Sequence, residues 1–393
     1  MKQAIPKPFF KKSYRAARSL PTKKVEDPFD ADHCKNVASK IEALILKSYY
    51  AMAMAEESKK NIIGLRTSSI LYASLHKSHL DYIAICGKMF LEGLPCPRTV
   101  AGSNLLTGWI GWSIKYFTGI DMMKWGAIPV KRHLSISRDL LTFCSRIEAL
   151  LKSNKPILVF PEIEISTNGH GNSIRTGRAY SGKIRKFASA PFSPAINASK
   201  EGEKVYIVPM AVSYDFVAED RYFCSLTKAV TMKGSKNVLV SILGRVYYLF
   251  LEFHFFCRMY GLGKGNIYID TGQPILVEPE ASKKELAHLA QQEAARCYRV
   301  TMPALVSYAI SKGSTSREAL QEFVERYSEL LMKANIHFEH SVNLKEGIEG
   351  ALHGLEQRRI ISNHKGISVK APEIICYYAN TIAHHFRQTG RTP

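Results

Sequence analysis

The segment LYASLHKSHLDYIAI places His76 at the end of an apolar, strand-like run, with Asp81 five positions later, just inside the next apolar run. A histidine at such a strand-to-helix boundary can take the proton of an attacking hydroxyl. A nearby carboxylate can hold the imidazole in one tautomer and stabilise the imidazolium that forms. The pair is a two-residue version of triad logic without a nucleophilic side chain. Spacing alone does not separate this reading from a structural histidine. His76, His79 and Asp81 also offer an H-x-x-H-x-D set for a metal. The usual hydrolase motif H-x-H-x-D-H has a different first spacing and a final histidine where this chain has Tyr82, and no Cys/His cluster completes a site. Neither a metal nor a bound cofactor is expected.

HKSHLDYI followed by PRTVAGSNLL resembles the first block of the glycerol-3-phosphate and dihydroxyacetone-phosphate acyltransferases, within the lysophospholipid acyltransferase superfamily. The bacterial membrane-associated branch is closest in wording. Further blocks follow in the family's order. GAIPVKR, residues 126–132, resembles the second, which ends in adjacent basic residues. FPEIEISTNGHGNSIRTGR, residues 160–178, contains both halves of the third, with Glu162 matching its glutamate and Arg175, Gly177 and Arg178 its basic end. Here the chain departs from the pattern: Ile163 stands where the family has glycine, extra residues separate the halves, and the first family arginine has no clear counterpart. VYIVPMAVSYD carries Pro209 as the fourth block does, GLGKGNIYIDTGQPI resembles a later glycine-strand-glycine-proline stretch, and EIICYYANTIAHHF is similar to the terminal helix of the bacterial long-chain members.

The resemblance implies O-acyl transfer from a thioester, acyl-CoA or acyl carrier protein, to the hydroxyl of glycerol-3-phosphate in phospholipid biosynthesis. Dihydroxyacetone phosphate and lysophosphatidate remain open as acceptors, as does a non-catalytic lipid- or phosphate-binding relative. His76 is implied as the base and Asp81 as its orienting partner, and Lys131, Arg132, Arg175 and Arg178 would hold the acceptor phosphate. Paired cations suit that task, since arginine grips phosphate in bidentate fashion. Glu162, Gly177 and Pro209 are supporting motif residues. Oxyanion donors are expected among backbone N–H groups near the start of the helix after His76. The Leu105–Phe117 stretch, with Trp109 and Trp112, is a candidate acyl groove or ordinary core.

These residues need a frame. Apolar residues Val37, Ile41, Leu44, Ile45 and Tyr49 recur at helical spacing between Asp32 and Lys60, which predicts a helical N-terminal region. Strand candidates are 69–75, 98–101, 127–130, 156–160, 205–214 and 266–270, with helix-like stretches between them. That alternation predicts an α/β fold, a mixed sheet flanked by helices, with a doubly wound nucleotide fold as the structural alternative. GLGKG precedes a strand rather than opening a helix, so a turn is expected there, not a phosphate loop. After Pro279 the pattern becomes amphipathic helix, with Thr315 and Glu318 spaced as a capping box before a helix at 316–333. The expected organisation is a basic tail (1–31), an N-terminal helical region (32–61), an α/β acyltransferase domain (62–279) and a C-terminal helical region (280–393).

Composition narrows the partners. The chain has 393 residues, 46% of them hydrophobic, and a formal charge of +20 from 54 basic against 34 acidic residues. Disorder is excluded as the default, and an anionic partner is indicated: nucleic acid, an anionic bilayer or small phosphorylated molecules. No zinc finger, RNA-recognition motif or basic helix-turn-helix is visible, so nucleic acid is not expected. The tail up to Lys24 is basic, without acid before Glu26 and without the apolar core of a signal peptide. It suits either an anionic lipid surface or water. Residues 102–123 and 238–257 approach membrane-span length but carry interrupting charges, and the aromatics of the second stretch suit a core or a bilayer interface. Eight cysteines without a C-x-x-C pair fit a reducing cytoplasm. The expected location is the cytoplasmic side of a membrane, peripherally bound.

Overall fold

The computed structural model describes residues 27, 29–47, 49–102, 115–116, 119, 121–130, 137–168, 171–176, 181–225, 243, 263–338, 343–363 and 366–388; side chains of 44, 137–140, 164–168 and 171–176 are not among those described. Helix α1 (Ala31–Leu46) opens at Asp30, whose carboxylate accepts the His33 N–H at 2.9 Å. It buries Cys34, Val37, Ala38, Ile41 and Ile45 along one stripe. The helical pattern expected up to Lys60 is interrupted by a strand, β1 (Ala51–Met54), before α2 (Glu56–Ile63) begins. Alternating exposed and buried positions in AMAM have the period of a strand covered on one face. Its ladder partner lies near Asn266, so nothing local announced it.

The chain then runs through β2 (Ser69–Ser74), α3 (Asp81–Leu91), β3 (Arg98–Gly102), β4 (Ile128–Val130), α4 (Ser137–Lys152) and β5 (Ile157–Val159). A hairpin, β6 (Ile163–Asn168) and β7 (Gly171–Thr176), precedes α5 (Ser193–Lys200), β8 (Val205–Tyr214), β9 (Asn266–Thr271) and β10 (Ile275–Leu276). All six strand candidates appear within a residue or two of their expected bounds. The main sheet has eight strands in the order β1-β9-β8-β2-β5-β3-β4, with β10 on β8. β9 and β10 run antiparallel to β8, whereas β8, β2, β5, β3 and β4 are parallel neighbours. This is the expected mixed α/β sheet. Every residue of β2 is buried, as a central parallel strand covered on both faces requires.

Pro209 sits inside β8, where a missing N–H should interrupt the ladder. Its carbonyl accepts the Gly272 N–H at 2.9 Å, and the N and C=O of one strand residue point to the same side. The absent donor therefore faces the gap between β9 and β10, where no strand pairs. The GLGKG stretch ends as a turn: Gly265 has φ +74, its carbonyl accepts the Tyr50 N–H, and β9 starts at the next residue.

Five helices follow: α6 (Lys283–Arg296), which packs on β8 and β2, then α7 (Met302–Ser311), α8 (Arg317–Lys333), α9 (Leu344–Gln357) and, after a small β11–β12 ribbon (361–362 with 368–369), α10 (Pro372–Gln388). α7 is buried from Met302 to Ile310 and packs against α8, α9 and α10. The cap of α8 is Ser316 rather than the expected Thr315, since the Ser316 hydroxyl accepts the Ala319 N–H at 3.1 Å. Contacts to the segment after β8 are polar and buried: Arg358 donates to Asp220 at 2.6 Å, and the Tyr378 hydroxyl donates to the same carboxylate while accepting the Val217 N–H. Among the described residues, no helix is long and apolar enough to cross a membrane. The basic tail up to residue 26 and the apolar stretches 103–114 and 244–257 lie outside the described residues.

Candidate active site

β2 ends at Ser74, and His76 lies just beyond it at the carboxyl edge of the sheet. From β2 the chain leaves towards β3 on the β5 side, while β5 connects to β8 on the other side of β2. The carboxyl edge of the parallel strands is where open α/β sheets place their ligands. Three carboxylates converge on the turn 76–80, all with fully buried side chains.

Asp81, the first residue of α3, has one oxygen 2.8 Å from His76 Nδ1; the same Oδ2 accepts the backbone N–H of Lys77 (2.6 Å) and Ser78 (3.0 Å). Its other oxygen accepts the Tyr214 hydroxyl at 2.6 Å. Burial pushes the Tyr214 phenol well above its usual range, so it remains a donor to Asp81. Glu162, beyond the end of β5, accepts the His76 N–H at 2.8 Å and the Arg185 N–H at 3.1 Å. Glu219, beyond the end of β8, accepts the Ser78 hydroxyl (2.7 Å), the His79 N–H (2.6 Å) and a contact from His79 Nδ1 (3.0 Å). Phe160 stacks on the His76 ring with centroids 4.3 Å apart. The imidazole is thus held by a carboxylate at Nδ1 and by an aromatic face, and Nε2 is the atom that can exchange a proton. The His76 side chain is 14% exposed, enough for a substrate hydroxyl to approach.

His79 pairs with Glu219 rather than joining His76 and Asp81, so the H-x-x-H-x-D set does not converge. No cluster of three or more His, Cys, Asp or Glu able to hold a metal occurs among the described residues. The N–H groups of His76 to Asp81 are all committed: to Glu162, to Asp81 twice, to Glu219, to the Ser78 hydroxyl and to the Ser78 carbonyl. The oxyanion donors expected near the start of α3 are therefore not the N–H groups of residues 76–81.

The interrupted third block has a simple geometry. Its extra residues pair with each other, from Ile163 opposite Thr176 to Asn168 opposite Gly171, with Arg175 opposite Glu164. The hairpin returns the chain to its starting point, with Thr176 paired to Ile163, the residue after Glu162. The Arg175 side chain, and all of Lys131, Arg132, Gly177 and Arg178, lie outside the described residues. Glu219 and Tyr214 were not singled out from the sequence, because nothing local marks a carboxylate that acts on a turn 140 residues away.

Residues 55–213 match the family model described as Acyltransferase. The span includes His76, Asp81, Glu162 and Pro209. Over more of its length the chain is similar to the glycerol-3-phosphate acyltransferase of Actinobacillus succinogenes, 23% identical over 379 residues, covering 86% of this chain and 42% of that protein. The glycerol-3-phosphate acyltransferase of Shewanella baltica OS155 is also 23% identical, over 355 residues, covering 81% and 39%. A probable mitochondrial glycerol-3-phosphate acyltransferase of Caenorhabditis elegans is 28% identical over 177 residues, covering 44% and 22%. The chain spans less than half the length of these curated relatives. Among solved structures, the 1-acyl-sn-glycerophosphate acyltransferase PlsC of Thermotoga maritima aligns with a TM-score of 0.35 at 15% identity, covering 71% of this chain and 82% of that one.

Proposed function

We propose that this chain transfers a fatty acyl group from a thioester to a hydroxyl of glycerol-3-phosphate, with His76 as general base. The observation that carries this reading is the 2.8 Å contact between His76 Nδ1 and the buried Asp81 carboxylate at the carboxyl edge of the sheet. The names of the relatives support the acceptor. Nε2 takes the proton of the acceptor hydroxyl as its oxygen attacks the thioester carbonyl. The tetrahedral adduct then collapses, the carbon–sulfur bond breaks, and the imidazolium returns its proton to the departing thiolate. Asp81 holds the ring and offsets its transient charge. General-base help of this kind supplies about 10²–10⁴-fold, so positioning of the acceptor must supply much of the rest. Lys131, Arg132, Arg175 and Arg178 are assigned to its phosphate.

Acyl-CoA or acyl carrier protein serves as donor in this reading, and the net charge of +20 suits peripheral attachment to an anionic bilayer, on the cytoplasmic side. Purified protein should be assayed with glycerol-3-phosphate, dihydroxyacetone phosphate and lysophosphatidate, each crossed with both donors. Glycerol-3-phosphate is expected to give the highest kcat/KM. Absence of transfer in every combination contradicts the reading.

A further inference from the structure

The carboxylate that orients His76 is itself held from the sheet. Asp81 Oδ2 takes the His76 ring and two backbone N–H groups, all from its own turn, whereas Oδ1 takes the Tyr214 hydroxyl at 2.6 Å. Tyr214 is the last residue of β8 and pairs across the ladder with Ile267 of β9. Its carbonyl accepts the Thr301 hydroxyl at 3.4 Å, and its buried ring lies against Tyr49, with centroids 5.9 Å apart. The hydroxyl therefore reaches Asp81 from a frame separate from the turn. His76, Asp81 and Tyr214 form a chain of three whose middle side chain is fully buried.

A donor held that close does two things. It fixes the plane of the carboxylate, so that Oδ2 stays directed at Nδ1. It also draws charge towards Oδ1: hydrogen bonds to an ionised group are strong in a low-dielectric site, and the charge engaged by the phenol pulls less on an imidazolium. Burial, helped by the Asp81 charge, pushes the phenol well above its usual range, so the proton stays on Tyr214.

We infer that Tyr214 is a positioning residue acting through Asp81: it anchors the carboxylate to β8 and tempers its pull on the imidazolium, so that His76 can release to the departing thiolate the proton it took from the acceptor. This rests on the proposed acyl transfer with His76 as base. Tyr214 stands just beyond the residues matched by the family model. Among the described residues, other titratable groups surround the pair: Lys77 in the same turn, Glu162 at the His76 N–H, Glu219 and Tyr49 near the phenol, Tyr298 after α6 and Tyr377 on α10. They are the same in every variant of position 214, so differences between variants isolate the Tyr214 hydroxyl.

The test uses the full chain with Tyr214→Phe, which removes the hydroxyl alone, and with a ring-fluorinated tyrosine at position 214, whose more acidic hydroxyl is a stronger donor. The acid limb of kcat/KM against pH reports the base of the free enzyme. In Tyr214→Phe it should move up by about 0.5–1 pH unit, because Asp81 then holds the imidazolium harder; in the fluorinated chain it should move down. Acceptor KM should stay within about twofold in both. A role in packing alone would lower the thermal midpoint without moving the limb. An unmoved limb, or one that moves the same way in both variants, overturns the inference. If Tyr214→Phe does not fold, the fluorinated chain decides by the same reading. Should the wild-type chain transfer nothing, the functional reading fails by itself. The coupling is then judged by NMR titration of the His76 ring, assigned by its absence from His76→Ala: a midpoint raised by loss of the Tyr214 hydroxyl upholds it, and equal midpoints overturn it.

Discussion

Oδ2 of Asp81 lies 2.8 Å from His76 Nδ1 and 2.6 Å from the Lys77 amide nitrogen, so one buried oxygen both orients the ring and ties the turn that carries it. Asp81→Asn keeps the shape but offers a neutral amide that cannot offset an imidazolium. It should lower kcat by about 10²–10⁴-fold with little change in acceptor KM. Measuring kcat and KM beside the thermal midpoint separates this from unfolding; a midpoint loss with kcat per folded molecule unchanged contradicts the catalytic role.

Glu219 serves the same turn from the other flank. Glu219→Ala strips the Ser78 hydroxyl and the His79 N–H of their buried acceptor, so about 1–3 kcal/mol of stability should go with it. Urea unfolding followed by circular dichroism reads this directly. A shift in midpoint below the error of the measurement would show that the turn stands without it.

Gly182 has a conformation and a setting that exclude a side chain. Its φ of +77 suits glycine, and a Cβ would meet the Tyr377 carbonyl at 2.1 Å. Gly182→Ala should destabilise by more than about 1 kcal/mol, combining backbone strain with the forced separation of the loop from α10. Differential scanning calorimetry of the variant against the wild type tests it, and an unchanged or raised midpoint would contradict the packing described.

His385 makes stability depend on pH. Burial brings its imidazole down to about 4, against the help of the Tyr298 carbonyl 2.9 Å from Nε2, and His337 lowers it further. Neighbouring His384, 3.8 Å away between ring centroids, is also held well below its usual range by burial. Between pH 6.5 and about 4 the unfolded chain binds a proton at this position that the folded chain does not, so stability rises with pH in that window and falls on acidification. The loss from His385 should be on the order of 3 kcal/mol by pH 4. His385→Gln, which can still donate to the Tyr298 carbonyl, should flatten the dependence. An equally steep slope in the variant would remove His385 as its source.

Much of the frame was legible because it is written locally. Val205–Tyr214 reads as a strand from its own apolar run, and His76 with Asp81 stands out by spacing and by the wording of the block around it. What stayed hidden depends on partners far along the chain. β1 was absorbed into a helical pattern because its ladder lies near Asn266, and Glu219 looks like any surface carboxylate until β8 delivers it to Ser78 and His79. Lys77 reads as a solvated cation beside a histidine, yet Tyr377, 300 positions away, helps to bury it. The separation of Glu162 from Arg175 looked like damage to a motif. Antiparallel pairing from Ile163 to Thr176 shows an excursion that starts and ends at the same place.

The central claim is that His76 takes the proton of the acceptor hydroxyl, and the most direct measurement compares initial rates of acyl transfer to glycerol-3-phosphate by the wild-type chain and by His76→Ala at equal folded concentration. The expected result is transfer by the wild type and a fall of at least about 10²-fold in the variant, the usual contribution of a general base. Rates equal within error would contradict the assignment of His76.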